Sequence, residues 1–302
     1  MPWCLGVSGA QCEAITKAGR QCAVTATSAF KDSHGRCVAE PLRRGGWQCL
    51  FHLEIFCTLP SPLLQSDVCI FWLDFETSGL DVLHDEILEV ALTEDSSNAQ
   101  FATTVRPTFV PDGPPGVHGI EKDELLTSPP FHEVFHRMLS FLNSVVENSL
   151  EESDSSDGDS TDNADRFLNL RYPPPRVLLV GHNAMKFDFP MLVSECLRHN
   201  CNLFELESFY YCDTLPILRA VGGHVADGCA RLQCLARCCN SAGGERAHRA
   251  LEDTVALRAV VHHCADAIGL TPAALLCPFV CSFDVNSTSI LYGDTGHSHL
   301  SA

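Results

Sequence analysis

Short apolar runs alternate with helix-spaced apolar positions from residue 67 onward, and this pattern predicts an α/β domain. The runs predict strands over residues 68–75, 86–92, 101–105, 177–180 and 209–212. Apolar residues three or four apart predict helices over residues 132–146, 189–199, 229–239 and 246–267. Strands first, followed by alternating strands and helices, imply a mixed central sheet flanked by helices.

Three segments depart from this pattern. Residues 147–172 are acidic and carry few apolar side chains, which predicts a disordered surface insertion between a helix and a strand. A cysteine-rich stretch ends at the breaker residues 59–62, which predicts a small module over residues 1–65. The α/β domain then occupies residues 66–283, and residues 284–302 form a tail without a firm signal.

Composition and charge limit the class of protein. The chain has 302 residues, 45% apolar and 19% charged, so it can bury a core and is not disordered as a whole. No signal sequence or apolar membrane-length run is visible, so we expect an intracellular protein, nuclear or cytoplasmic, without a membrane partner. The net charge of −18 is segregated, because residues 147–165 hold eight acids while residues 1–52 carry a net +3. A polyanionic substrate is therefore not excluded.

The first candidate for chemistry is the pair Asp74 and Glu76, at the end of the first apolar run. Residues two apart on a strand share a face, so the two carboxylates project together. They repel each other unless a cation compensates, and oxygen ligands of this kind suit Mg²⁺ or Mn²⁺. The alternative is a strand end that reaches solvent, which the pair alone does not exclude.

Further candidates are Asp188, Asp253 and His248. Asp188 stands at a predicted helix start, where the alternative is a capping role, and Asp213 has the same alternative. Asp253 lies on an apolar helix face and needs a partner there. His248 comes five residues earlier, where a histidine is commonly structural.

Taken together, these segments resemble the three motifs of the DnaQ-like (DEDDh) 3′–5′ exonucleases. D-F-E-T-S-G-L resembles the first motif, H-N-A-M-K-F-D-F-P-M-L the second and H-R-A-L-E-D the third. The match runs from about residue 67 to residue 267, and it implies a ribonuclease-H-like fold. The second motif and the loop at residues 117–120 are most similar to the three-prime repair exonuclease branch.

The resemblance implies a metal-dependent exonuclease that releases nucleoside 5′-monophosphates from a free 3′ end. Two Mg²⁺ or Mn²⁺ ions would be held by Asp74, Glu76, Asp188 and Asp253, and His248 would be the general base. The residues placed around the terminal nucleotide are Thr77, Leu80, Val117, Ile120 and Asn183, with packing as the favoured alternative for Ile120. Single-stranded DNA is favoured over RNA. The alternatives are an RNA 3′-end trimmer and a catalytically silent binding module, and a homodimer is one option for the assembly.

The N-terminal module has the residues for a second metal site. C-x-A-x-T-x-x-G-x-x-C between Cys12 and Cys22, with a later C-x2-H, is similar to a small Cys3His module. Cys12, Cys22, Cys49 and His52 would supply the four ligands of one structural Zn²⁺, with Cys37 as a rival ligand. The alternative is a reduced, cysteine-rich extension.

Overall fold

The computed structural model describes residues 56–58, 68–109, 118–154, 176–221, 229–239 and 249–283. Within these ranges the chain forms one seven-stranded sheet. Its strands are β1 (Phe56–Thr58), β2 (Val68–Thr77), β3 (Ile87–Glu94), β4 (Gln100–Thr104), β5 (Arg176–Gly181), β6 (Tyr210–Asp213) and β7 (Cys281–Phe283). The strand order is β1-β7-β6-β5-β2-β3-β4.

The sheet is mixed, with its parallel strands at the centre. β2 is antiparallel to β3, and β3 is antiparallel to β4, so these three form a meander. β2, β5 and β6 are parallel to one another, while β7 is antiparallel to both β6 and β1. The central strands are buried on both faces, which explains why they are continuous apolar runs in the sequence.

Helices cover both faces of the sheet. The described helices are α1 (Lys122–Thr127), α2 (Phe131–Asp154), α3 (Asp188–Arg198), α4 (Phe204–Glu207), α5 (Thr214–Val221), α6 (Leu232–Cys238), α7 (Ala250–Ala267) and α8 (Pro272–Leu276), the last followed by a short 3-10 turn. No single helix within the described ranges is long and apolar enough to cross a membrane; α7 and residues 272–279 pass that test only as a pair bent by 87°.

β2 divides its side chains between two cores. Its odd-numbered apolar residues pack with α2 and α3, whereas Ile70 and Trp72 pack with α7 on the other face. Because side chains two apart share a face, the row that faces α7 continues through Asp74 to Glu76. The alternation of β2 therefore directs both acids of the first motif towards α7.

This architecture confirms the predicted α/β, ribonuclease-H-like fold. Each predicted strand is present, with ends within two residues of the prediction. The sequence analysis missed the strands β1 and β7 and the helices α1, α4, α5 and α8. All six elements have ten residues or fewer, so they carry too few positions for a periodic signal.

Two predicted boundaries are corrected by the structure. α2 continues to Asp154, so residues 147–154 of the predicted insertion are helical; each added residue gains one backbone hydrogen bond, and Glu and Leu are strong helix formers. β1 lies inside the predicted 1–65 module but pairs with β7, so it belongs to the sheet. The rest of that module, residues 155–172 of the insertion and the tail 284–302 lie outside the described residues.

Candidate active site

Three carboxylates from two elements meet at the end of β2. Asp74 and Glu76 belong to β2, and Asp253 lies in the first turn of α7. One side-chain oxygen from each of the three lies within 4.8 Å of the others. They meet because the α7-facing row of β2 leads to the helix that packs on that face. Oxygen donors at this spacing fit a hard divalent ion such as Mg²⁺ or Mn²⁺.

Asp188, the fourth predicted ligand, is buried at the start of α3 with 4% of its surface exposed. After burial itself, its charge is the strongest influence that raises the pKa of Asp74, so it adjoins the cluster. The strand β5 runs parallel to β2, and the turn after β5 brings the chain to α3 at the same edge of the sheet. Asp188 is not the cap of this helix, because the cap residue is Phe187.

Asp213, in contrast, does have the helix-capping role that the sequence analysis gives as its alternative. Its carboxylate accepts a hydrogen bond from the backbone N–H of Leu215 at 2.9 Å, in the first turn of α5. It also accepts from the backbone N–H of Asn183 at 2.8 Å and of Met185 at 3.3 Å. Asp213 therefore fixes the turn that leads from β5 to Asp188. Its charge contributes to the raised pKa of Asp188.

The acids of the cluster raise one another's pKa. Burial raises the pKa of Asp74 well above its usual value, and the charges of Asp188, Asp253 and Glu76 raise it further. Burial, followed by the charge of Asp253, raises the pKa of Glu76 to about 7. Burial also raises the pKa of Asp188 to about 7, against hydrogen bonds from backbone N–H groups.

Acids that repel one another in this way are stabilised by a cation placed between them. The donors present are carboxylate oxygens alone, which suit Mg²⁺ or Mn²⁺ better than a softer metal. The residues at this site therefore fit the divalent ions that the sequence analysis predicts.

A cleft of about 600 Å³ opens beside Asp74 and Asp253. Asn183, Arg219 and Arg231 are among the residues that line its other walls. Both arginines are exposed, and they line the same cleft as Asp74 and Asp253. Acidic and cationic side chains thus line the same cleft. We call Asp74 and Asp253 its acidic floor, and Arg219 and Arg231 its cationic walls.

His182 lines this cleft, and two hydrogen bonds hold its ring in place. Its Nε2 lies 2.8 Å from the carbonyl oxygen of Ala230, and its Nδ1 lies 2.9 Å from Oγ1 of Thr214. Because a carbonyl oxygen only accepts, Nε2 carries the proton. Burial lowers the pKa of His182, which favours this neutral form. The sequence analysis missed His182, although it lies inside the second motif.

The predicted substrate-contact residues differ in their surroundings. Thr77 donates from Oγ1 to the carbonyl oxygen of Gly79 at 2.7 Å, and Leu80 is 83% exposed. Asn183 lines the cleft with a φ of 64°. Ile120 is buried and packs with Leu88 and Leu125, which agrees with the packing alternative.

Some predicted site residues lie outside the described residues: His248, Val117, Cys12, Cys22, Cys49 and His52. Their roles stay predictions. His248 is nevertheless bonded to a described position, because Arg249 follows it directly as the cap residue of α7.

Part of the chain that carries the acidic cluster is similar to a known family. Residues 71–178 match the family described as Exonuclease, RNase_T. This match confirms the predicted family resemblance and covers Asp74 and Glu76, while Asp188 and Asp253 lie beyond its end.

Individual relatives are more distant. Exonuclease DPD1, chloroplastic/mitochondrial, of Arabidopsis thaliana is 27% identical over 193 residues, which cover 62% of this chain. They cover 53% of that protein, so this chain spans about half the length of the relative.

Two solved structures are also similar. A 3′-exonuclease solved for its recognition of a histone mRNA stem-loop has 14% identity over 72% of this chain and 91% of its own, with a TM-score of 0.47. Exonuclease I of E. coli, with a dT13 oligonucleotide, has 16% identity over 67% of this chain and 42% of its own, with a TM-score of 0.46.

Proposed function

We propose that this protein is a metal-dependent 3′–5′ exonuclease that releases nucleoside 5′-monophosphates from the 3′ end of a nucleic acid strand. The observation that carries the proposal is the cluster of Asp74, Glu76 and Asp253, with one oxygen of each within 4.8 Å of the others. Two of these acids lie within the part of the chain that matches the exonuclease family. The cluster borders an open cleft with room for a strand end.

Asp74, Glu76, Asp188 and Asp253 would hold two Mg²⁺ or Mn²⁺ ions. Such ions, when bound, activate a water molecule and stabilise the negative charge that develops on the leaving oxygen. These carboxylates come from three elements: the central strand β2, the start of α3 and the first turn of α7. His248 would accept the proton of the attacking water as a neutral imidazole.

The cationic walls of the cleft would hold the phosphates of the substrate. Arg219 and Arg231 flank the acidic floor, and contacts of this kind position a strand without reading its sequence. Leu80, which is 83% exposed near the end of β2, offers an apolar surface on which the terminal base could stack. Single-stranded DNA is our first candidate substrate, because the motifs are most similar to the DNA-directed branch of the family.

The test compares matched 3′-labelled DNA and RNA oligonucleotides, each with Mg²⁺ and with a chelator. We expect mononucleotides from the 3′ end, faster release from DNA, and no release with chelator. The variant Asp188→Asn should be inactive, whereas Asp266→Asn, an exposed acid at the far end of α7, is the matched control. Mononucleotide release that persists after exhaustive chelation would refute the metal-dependent mechanism, and faster release from RNA would reverse the substrate preference.

For the N-terminal module we propose one structural Zn²⁺ held by Cys12, Cys22, Cys49 and His52. The support is the ligand spacing in the sequence, together with a segment of modest apolar content that benefits from a metal to fold. Metal analysis of the full-length protein should find one zinc per chain and none in the double variant Cys49→Ser, His52→Ala. Zinc retained by that variant would contradict the ligand set.

A further inference from the structure

Glu89 is a buried acid that neither the motifs nor the metal cluster accounts for. It lies in β3 directly opposite Glu76 of β2, and only 4% of its surface is exposed. Paired residues of antiparallel strands point to the same face, so Glu89 points towards α7, as the metal-site acids do. A buried carboxylate of this kind needs partners.

Its partners come from the start of α7. Arg249 donates from Nε to both carboxylate oxygens of Glu89, at 3.1 and 3.0 Å, and from Nη2 to Oε1 at 2.6 Å. The backbone N–H of Ala250 donates to Oε2 at 3.0 Å. The carboxylate therefore receives four hydrogen bonds, three of them from the guanidinium of Arg249, which is a strong and directional arrangement.

These contacts replace the missing cap of α7. Arg249 is the cap residue, has extended backbone angles and makes no side-chain cap hydrogen bond of its own. The N–H of Ala250 is one of the first helical groups that lack a partner within the helix. Glu89 supplies the acceptor from a neighbouring strand, and its negative charge also suits the positive end of the helix dipole.

The capped turn is the one that carries the chemistry. Asp253 lies in this first turn, and its backbone N–H donates to the carbonyl oxygen of Arg249 at 3.1 Å. His248 directly precedes Arg249 in the sequence. A shift of the first turn of α7 would therefore move a metal ligand.

We propose that the Glu89–Arg249 pair positions the first turn of α7, and through it the metal ligand Asp253, for phosphodiester hydrolysis. Glu89 is a positioning residue here and not a metal ligand, because its carboxylate is occupied by the guanidinium and by the helix N–H. The proposal rests on the exonuclease function proposed above. It adds two residues to the machinery of that site.

A third residue provides a matched control. Nη2 of Arg249 also donates to Oε1 of Glu124 in α1, at 3.3 Å. Glu124 is 40% exposed at its side chain, whereas Glu89 is 5% exposed. Like Glu89→Gln, Glu124→Gln removes one carboxylate charge beside Arg249. Unlike that change, it leaves the cap of α7 intact.

The experiment measures kcat and KM of the full-length protein on a 3′-labelled oligonucleotide with Mg²⁺. Glu89→Gln and Arg249→Lys should each lower kcat by about 10- to 100-fold, which is the range for residues that orient metal ligands. KM should stay within about twofold, because the pair does not face the cleft. Glu124→Gln should stay within about twofold of the wild type in kcat.

A double-mutant cycle tests whether Glu89 and Arg249 act on kcat as one unit. Glu89→Gln combined with Arg249→Lys should lower kcat no further than the stronger single variant, because both changes disrupt one unit. Circular dichroism at the assay temperature verifies that each variant is folded. If Glu89→Gln does not fold, Arg249→Lys carries the test alone, since it keeps the charge and loses only the forked geometry.

Three results would overturn the proposal. The first is a kcat within twofold of the wild type in both folded variants. The second is recovery of the full rate of Glu89→Gln at high Mg²⁺, which would make Glu89 a metal ligand. The third is an equal loss of kcat in Glu124→Gln. If the wild type itself releases no mononucleotides, the proposed function fails first, and the two failures are therefore distinguishable.

Discussion

Asp95 and Asp74 lie at opposite ends of the same interface between β2 and α7, and their surroundings differ. Asp95 accepts hydrogen bonds from Nε1 of Trp72 at 2.9 Å, from Nε2 of His262 at 2.7 Å and from Nε of Arg258 at 3.3 Å. Asp74 instead lies beside the acids Asp188, Asp253 and Glu76, all of which raise its pKa. One end of the interface pairs its acid with donors from the protein, and the other end groups acids together.

The comparison shows that this interface is able to satisfy a partly buried acid with its own side chains. The donors on α7 occur near the middle and the far end of the helix, while the first turn contributes a further acid. Grouped acids cost stability unless something outside the chain compensates for them. We therefore interpret the Asp74 end as the functional end and the Asp95 end as the structural one.

The largest effect should come from Asp253→Asn, which removes one charge from the acidic cluster. We expect kcat to fall by at least about 100-fold, the upper value for residues that merely support a metal ligand. The free energy of unfolding should stay equal or rise slightly, because repulsion is relieved. Activity assays and urea unfolding measure the two quantities. A large loss of stability would show that the acidic end is structural after all.

Asp95→Asn should lower the stability of the protein and leave kcat unchanged. It removes the negative charge that faces Arg258 and His262, while Arg258 keeps its hydrogen bonds to the backbone carbonyl oxygen of residue 95. We expect the free energy of unfolding to fall by about 2 kcal/mol. The partners are partly exposed, which keeps the value below that of a fully buried pair. The kcat of the folded variant should match the wild type. A selective loss of kcat with unchanged stability would remove the distinction between the two ends.

Divalent ions should distinguish the two variants further. Under the proposed function Mg²⁺ would bind only the folded cluster, so at ten times its Kd it should stabilise the wild type by about 1.4 kcal/mol. Asp95→Asn should keep this increment, and Asp253→Asn should lose most of it. Thermal unfolding with and without Mg²⁺ provides the measurement. An equal increment in both variants would place the ion elsewhere.

The smallest effect concerns the cationic walls beside the acidic end. Arg219→Gln with Arg231→Gln should raise KM by about five- to tenfold and reduce its salt dependence, with kcat little changed, because these groups would contact phosphates and not reacting atoms. Arg237→Gln is the control, since Arg237 is exposed on the same helix α6 as the cleft wall but is not among the lining residues. An equal rise in KM for the control would indicate a general charge effect.

Much of the fold could be predicted from the sequence, because the central strands are buried on both faces and appear as plain apolar runs. The pair Asp74 and Glu76 could be predicted for a related reason, because strand alternation places residues two apart on the same face. The sequence places Asp253 on a helix face. Whether Asp253 meets β2 depends on which face of the sheet α7 covers. That information is absent from local spacing.

Glu89 and Asp213 show what a local pattern cannot supply. Glu89 lies inside the run I-L-E-V-A-L, where a single charged residue is expected to face solvent, yet it is buried against Arg249 from 160 positions later. Asp213 was correctly interpreted as a cap, but its second role, holding the turn before Asp188, requires a contact across 30 residues. In both cases the partner is distant in the chain, so only the tertiary structure reveals it.

The pairing of β1 with β7 has a consequence for where the protein could be attached to a surface. Phe56 lies opposite Phe283, and Ser282 lies opposite Tyr210, the first residue of β6. The carboxylates stand near the other end of the parallel strands, where β6 ends at Asp213. Phe56 and Phe283 therefore lie together at one corner of the sheet, at the end away from the carboxylates. A surface attachment engineered at Ser282, in this corner, would therefore leave the carboxylate end of the parallel strands facing away from the support.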